Sequence, residues 1–247
     1  MANWNDPRPS QAGFGAAPGL NAAWGGSTVF DAGLRRHMLA IYNYMASGIL
    51  LSGIVALGFA SSGLAEAILF TPLRWIVALA PLAFVMVMSF GINRLSTGTM
   101  QALFWAFSLV MGMSLSSIFF VYTGPSIAVT FFATAGAFAG LSLYGYTTRK
   151  SLSAMGTFLI MGLFGILIAS VINLFLRSSG LAFGISFLGV LIFAGLTAYD
   201  TQRLKDQYAY VRGTDMAGKA VIMGALQLYL DFINMFLMLL RFMGDRR

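Results

Sequence analysis

The chain has 247 residues, 58% of them apolar and 9% charged, and fifteen Lys and Arg against eight Asp and Glu give a formal charge of +7. A soluble domain carries about 25% charged residues, so this composition excludes an ordinary water-facing protein and leaves an integral membrane protein. The lack of Cys excludes disulfides, thiolate catalysis and thiolate metal centres, and a single histidine, His37, excludes a His-rich metal site.

The basic excess sits in short segments between apolar runs. That is where the positive-inside bias puts it, so it points to membrane topology and away from nucleic acid. No polar stretch is long enough to fold as a separate catalytic domain. Residues 1–33 hold three of the six Pro and six of the 28 Gly, interleaved with Asn, Ala and Ser. They are expected to form a disordered tail with no signal-peptide pattern. Residues 34–247 are expected to form an all-α integral membrane domain of seven transmembrane helices.

The first span lies in the charge-free run from Met38 to Ala65, whose 28 residues suffice to cross about 30 Å of hydrocarbon. Trp75 to Asn93 is the second, with Pro81 expected to kink it. The run from Leu95 to Thr148 is too long for one helix, and Thr123-Gly124-Pro125-Ser126 divides it into a third and a fourth. Ser151 to Leu176 is the fifth and Ser178 to Tyr199 the sixth. Ala220 to Leu240 is the seventh, interrupted only by Asp231. A barrel reading fails, because barrel strands alternate in polarity and these runs are apolar throughout.

With a cytoplasmic N-terminus, ten Lys and Arg fall on the cytoplasmic side and five on the other, which favours that orientation. The basic C-terminus is the misfit, and the charge rule leaves open whether the seventh segment crosses or loops back. Ser108, Gly112 and Ser116, the Ala135/Gly136/Ala139/Gly140 group, and Gly162, Gly165, Ala169 and Asn173 are spaced as packing seams, since small residues let membrane helices approach closely.

Asp231 is the deepest ionisable residue. An Asp near a helix centre costs about 2.5–3.5 kcal/mol on insertion scales, so it belongs against protein or water. Gly224, Gln227, Asp231 and Asn234 recur at offsets of three or four and share one helix face. Asp200 ends the sixth span, and Arg94 ends the second. Two carboxylates in a poorly hydrated site resist double ionisation, so with a nearby guanidinium they have the elements of a charge-balanced switch.

The stretches AGLTAYDTQRLK (Ala194 to Lys205) and GALQLYLDFINMFLMLLRF (Gly224 to Phe242) resemble signatures of the Bax inhibitor-1 family. Gly33-Leu34-Arg35-Arg36 and Ser142-Leu143-Tyr144-Gly145-Tyr146-Thr147-Thr148 are similar to it as well, and the wording is closest to bacterial members. The resemblance implies a seven-helix bundle with the last helix at its centre, in the inner (cytoplasmic) membrane. It further implies a pH-sensitive calcium leak with Asp200 and Asp231 as the sensor pair and Arg94 as the latch of the closed form. Gln227 and Asn234 would support the pair, and the two aspartates would bind permeant calcium weakly, with no resident cofactor. Calcium takes six to eight oxygens, and two carboxylates cannot supply a tight site. The expected partners are the bilayer, calcium ions and protons. One alternative is a membrane-embedded regulator of a partner such as a membrane protease. A lesser one is an intramembrane aspartyl protease; Tyr199-Asp200 matches half of that pattern, but Leu228-Tyr229-Leu230-Asp231 stands where it requires Gly-x-Gly-Asp.

Overall fold

The computed structural model describes the backbone of residues 18–247 and the side chains of residues 32–247 other than Leu69. Residues 37–247 form one compact unit, and the described residues 18–36 belong to a separate one. Among the described residues the elements are α1 (Pro18–Ser61), α2 (Leu64–Leu69), α3 (Arg74–Gly91), α4 (Thr97–Leu115), α5 (Ile118–Val121), α6 (Gly124–Thr147), α7 (Ser153–Leu176), α8 (Ser179–Val211) and α9 (Met216–Met243). Seven stretches are long and apolar enough to cross a membrane, carried in order by α1, α3, α4 with α5, α6, α7, α8 and α9. Helices are what hydrocarbon demands, since each satisfies its backbone polar groups internally. The helix α1 starts at Pro18, a position that suits Pro, so residues 18–33 are helical where composition predicts coil. Residues 1–17 of the expected tail lie outside the described residues.

The boundaries follow local chemistry. Gly63 ends the α1 segment with a φ of 75°, and the short α2 follows in the first connection. Ser96 caps α4, its Oγ accepting from the Thr99 amide at 3.1 Å. The Thr123-Gly124-Pro125 cluster opens α6 with Pro in its first turn, as its sequence predicts. The sixth span continues as helix past Tyr199 to Val211, because its polar extension keeps forming backbone hydrogen bonds beyond the apolar run.

The helix α9 is central. It is 61% buried over its apolar window, against 11–39% for the other six. It packs along α8, α6 and α4, and it meets α1 where Ile41 closes on Gly224. Its two ends answer the question that charge left open. Near its start, Lys219 donates from Nζ to the Ile92 carbonyl at 3.0 Å, and Gly218 abuts Thr97. Past its end, Arg246 forms an antiparallel bridge with Tyr122, the Thr123 amide donates to the Asp245 carbonyl at 3.0 Å, and the Asp245 amide donates to Ser126 Oγ at 2.9 Å. Thr97 and Tyr122 flank the third span at opposite ends, so α9 runs the whole length of the bundle beside it.

The small-residue seams divide into two kinds. Gly112 lies against α1, where a Cβ would come within 2.7 Å of the Ser52 carbonyl, and a Cβ on Gly145 would run into the Ala198 carbonyl of α8. Gly162 faces Ile192 as expected. Gly136, Gly140 and Gly165, by contrast, have open space where a Cβ would be. The buried face of α6 is instead Ser126, Thr130, Thr134, Phe138, Ser142 and Gly145. Hydroxyls hidden from lipid outcompete glycines for the inner face, since an alanine or glycine in hydrocarbon leaves no polar atom unsatisfied. Overpacking a tight contact costs about 1–3 kcal/mol. Gly145→Ala is therefore expected to lower the melting temperature in detergent while Gly136→Ala leaves it unchanged. Equal behaviour of the two variants would show that the α6–α8 approach is not limiting.

Candidate functional site

Asp231 belongs to the buried face of α9 and Asp200 to that of α8, the pair of helices in closest association. Both carboxyls are enclosed, Asp200 at 4% and Asp231 at 5% exposure. The two carboxyls lie close enough to act on each other, and Gln227 lies beside Asp200. Asp231 Oδ2 is buried with no hydrogen-bond partner. Tertiary packing thus joins two aspartates 31 positions apart in the sequence. Gln227 sits one turn before Asp231 and joins the pair, while Asn234, one turn after it, is half-buried.

Arg94 is placed differently. It lies exposed in the turn after α3, its amide donating to the Gly91 carbonyl at 2.9 Å, and it is not among the groups acting on either carboxyl. From Lys219, which holds that turn, α9 rises about 18 Å to Asp231 at 1.5 Å per residue. The cation whose charge reaches Asp200 is Arg203, one turn along α8. Among the described residues no group of three or more His, Asp or Glu could hold a metal ion.

Several polar contacts around the pair escape a reading of the sequence. Tyr229, fully buried two positions before Asp231, shares a 2.6 Å hydrogen bond with Ser52 of α1, whose Oγ also lies 2.7 Å from the Ser108 carbonyl of α4. Ser142 Oγ of α6 is 2.8 Å from Thr201 Oγ1, next to Asp200, and 2.8 Å from Tyr42 Oη. Between Thr134 and Ser142 on the same stripe, Phe138 meets Phe232 edge-on at 5.6 Å between ring centroids. The signal for this inner face was available, since Ser126, Thr130, Thr134 and Ser142 recur in steps of four or eight. It competed with the equally periodic small residues beside it.

A family model described as inhibitor of apoptosis-promoting Bax1 matches residues 34–247. An uncharacterized protein of Rickettsia prowazekii is 48% identical over 220 residues, which cover 88% of this chain and 93% of the relative. The inner membrane protein YbhL of Escherichia coli K12 is 48% identical over 220 residues, covering 87% and 94%. The protein YrjE of Lactococcus lactis is 37% identical over 229 residues, covering 88% and 95%. The chain belongs to the Bax inhibitor-1 family of multi-helix membrane proteins, a family that is not one of catalytic enzymes.

Proposed function

We propose that this protein is a pH-sensitive calcium leak channel of the cytoplasmic membrane, with Asp200 and Asp231 as its proton sensor and Arg94 as the latch of a closed conformer. The observation that carries the reading is the pair of neighbouring carboxyls enclosed between α8 and α9, with one oxygen of Asp231 left without a partner. Ionisable groups at membrane depth mark ion and proton pathways far more often than they serve packing. Outward from the pair, Thr134, Thr130 and Ser126 continue a polar line along α6 toward the opposite end of the bundle. The Phe138–Phe232 contact interrupts that line, which suits an apolar constriction that gates by dewetting. Two carboxylates bind a divalent ion weakly, and weak binding is what conduction needs. Inner-membrane residence accords with the name of the YbhL relative.

The sign of the pH response follows from proton counting. With one shared proton the pair keeps a net negative charge that a guanidinium can hold. A second proton removes that charge and releases the latch, so acid shifts the population toward the open form. The purified protein in liposomes is expected to pass calcium without added energy, with flux rising from about pH 8 to about pH 5. The double Asp200→Asn, Asp231→Asn variant is expected to lose most of this pH dependence. Calcium entry no faster than into empty liposomes across that range would favour the other reading, a regulator that acts only with a membrane-protein partner.

Arg94 reaches the pair only if the turn after α3 moves along α9, so its role belongs to a conformer other than the one described. Removing a charge's partner is costly to the state that used it. Arg94→Ala is therefore expected to raise the leak at neutral pH, and a leak equal to wild type would make Arg94 a topological anchor alone.

The ten-to-five distribution of basic residues assigns the N-terminus to the cytoplasm, and seven crossings then carry the C-terminus outside. Alkaline phosphatase fused after Arg247 is expected to be active in cells. An inactive but full-length fusion would reverse the orientation.

A further inference from the structure

A cavity of about 370 Å³ lies between the start of α7 and the polar extension of α8, lined by residues that flank Asp200 but by neither carboxyl of the pair. Its walls include Ser153 at the head of α7 and Tyr199, Gln202, Arg203, Asp206 and Tyr210 of α8. Those α8 residues recur at offsets of three or four and form one face.

Its depth can be placed by length. About 20 helical residues span the hydrocarbon, so counting from Ser179 at the start of α8 the apolar core ends near Tyr199. The cavity begins at Tyr199 and runs outward from there, at headgroup level. Tyrosine at both of its ends is the residue type enriched in that layer.

The walls carry both signs of charge. Arg203 and Asp206 are exposed, and at the start of α7 the Ser153 amide donates to Ser151 Oγ at 3.4 Å while the Ala154 and Met155 amides have no side-chain acceptor. The first amides of a helix and its dipole favour an anion. One wall is fixed in advance: the buried Gln202 accepts from the Leu152 amide at 2.8 Å and donates to the Lys150 carbonyl at 2.9 Å, pinning the α6–α7 connection. A concave site holding a guanidinium, the second and third amides of a helix start and a carboxylate suits one class of ligand, a phosphate joined by a short link to a primary ammonium.

We propose that this cavity binds the phosphoethanolamine headgroup of a membrane phospholipid, with the phosphate on Arg203 and the α7 N-terminus and the ammonium on Asp206. The lipid, not a soluble phosphoethanolamine, is the occupant, because the cavity sits where the acyl chains of a bound headgroup pass directly into the hydrocarbon along α7 and α8. A choline headgroup has no N–H to donate to Asp206, and a glycerol headgroup has no cation.

The test uses the full-length protein in detergent with equimolar phosphatidylethanolamine, phosphatidylcholine and phosphatidylglycerol, and native mass spectrometry to count retained lipid. Wild type is expected to retain phosphatidylethanolamine above the other two. Arg203→Gln is expected to lower that retention about tenfold, the scale of one lost charge-assisted hydrogen bond. Asp206→Asn is expected to erase the preference over phosphatidylglycerol while leaving phosphatidylglycerol retention unchanged. Both side chains are exposed, so neither change disturbs the core, and the lipid preference of wild type is a measurement that needs no variant. Equal retention of the three lipids by wild type, or retention indifferent to Arg203→Gln, would overturn the proposal. Soluble phosphoethanolamine displacing the lipid at equal concentration would overturn its membrane source. None of these readouts depends on ion flux, so they stand or fall apart from the leak reading.

Discussion

Asp231 lies in the middle of an apolar helix, and hydrocarbon offers a carboxyl group nothing to bond to. Placed against lipid it would cost several kcal/mol, and the helix that carries it could not stay at the edge of a bundle. The last helix is instead ringed by α1, α4, α6 and α8 and is by far the most buried of the seven spans. Its centrality and the enclosure of the aspartates are one fact: the other helices pack so that this polar stripe meets protein. Asp200 lies against Asp231, and Gln227 lies beside Asp200.

What holds the ring closed is a set of hydroxyl contacts more than any specific apolar fit. Lipid tails are as apolar as Leu, so apolar area alone drives little helix association in a bilayer, and close packing with interhelical hydrogen bonds takes over. Ser52 ties α1 to α4 and α9, and Ser142 ties α6 to α1 and α8. Such bonds contribute about 1 kcal/mol each in membranes. Glycines at Gly112 and Gly145 let backbones come near enough for these short side chains to reach.

The two ends of α9 are fastened differently, and the difference bears on how it could move. At one end a single long side chain, Lys219, holds the carbonyl of Ile92. At the other, residues 245–247 are stitched by two backbone hydrogen bonds to Val121 and Thr123 and by one from the Asp245 amide to Ser126 Oγ. A backbone bridge resists displacement better than one flexible lysine, so motion along α9 is easier at the end where Arg94 sits. The leak reading needs movement at that end, since Arg94 as described is remote from the pair.

The number of spans and their approximate limits were legible in the sequence because each depends only on local quantities: length against the thickness of a bilayer, charge against apolarity, Gly and Pro against helix propagation. The pairing of Asp200 with Asp231 was legible only through resemblance, because periodicity puts each on a helix face without saying which faces meet. Tertiary structure decided three matters. It showed that α9 crosses, which its basic end left ambiguous, by placing its termini beside opposite ends of the third span. It turned α6 so that Ser126, Thr130, Thr134 and Ser142 face inward and Gly136 and Gly140 outward, a choice between two stripes of equal period. It also set Arg94 in an exposed turn instead of beside Asp200, since closeness in depth along two helices says nothing of which neighbour lies between them. Local chemistry determines what each segment is; only the packing of all seven determines what it touches.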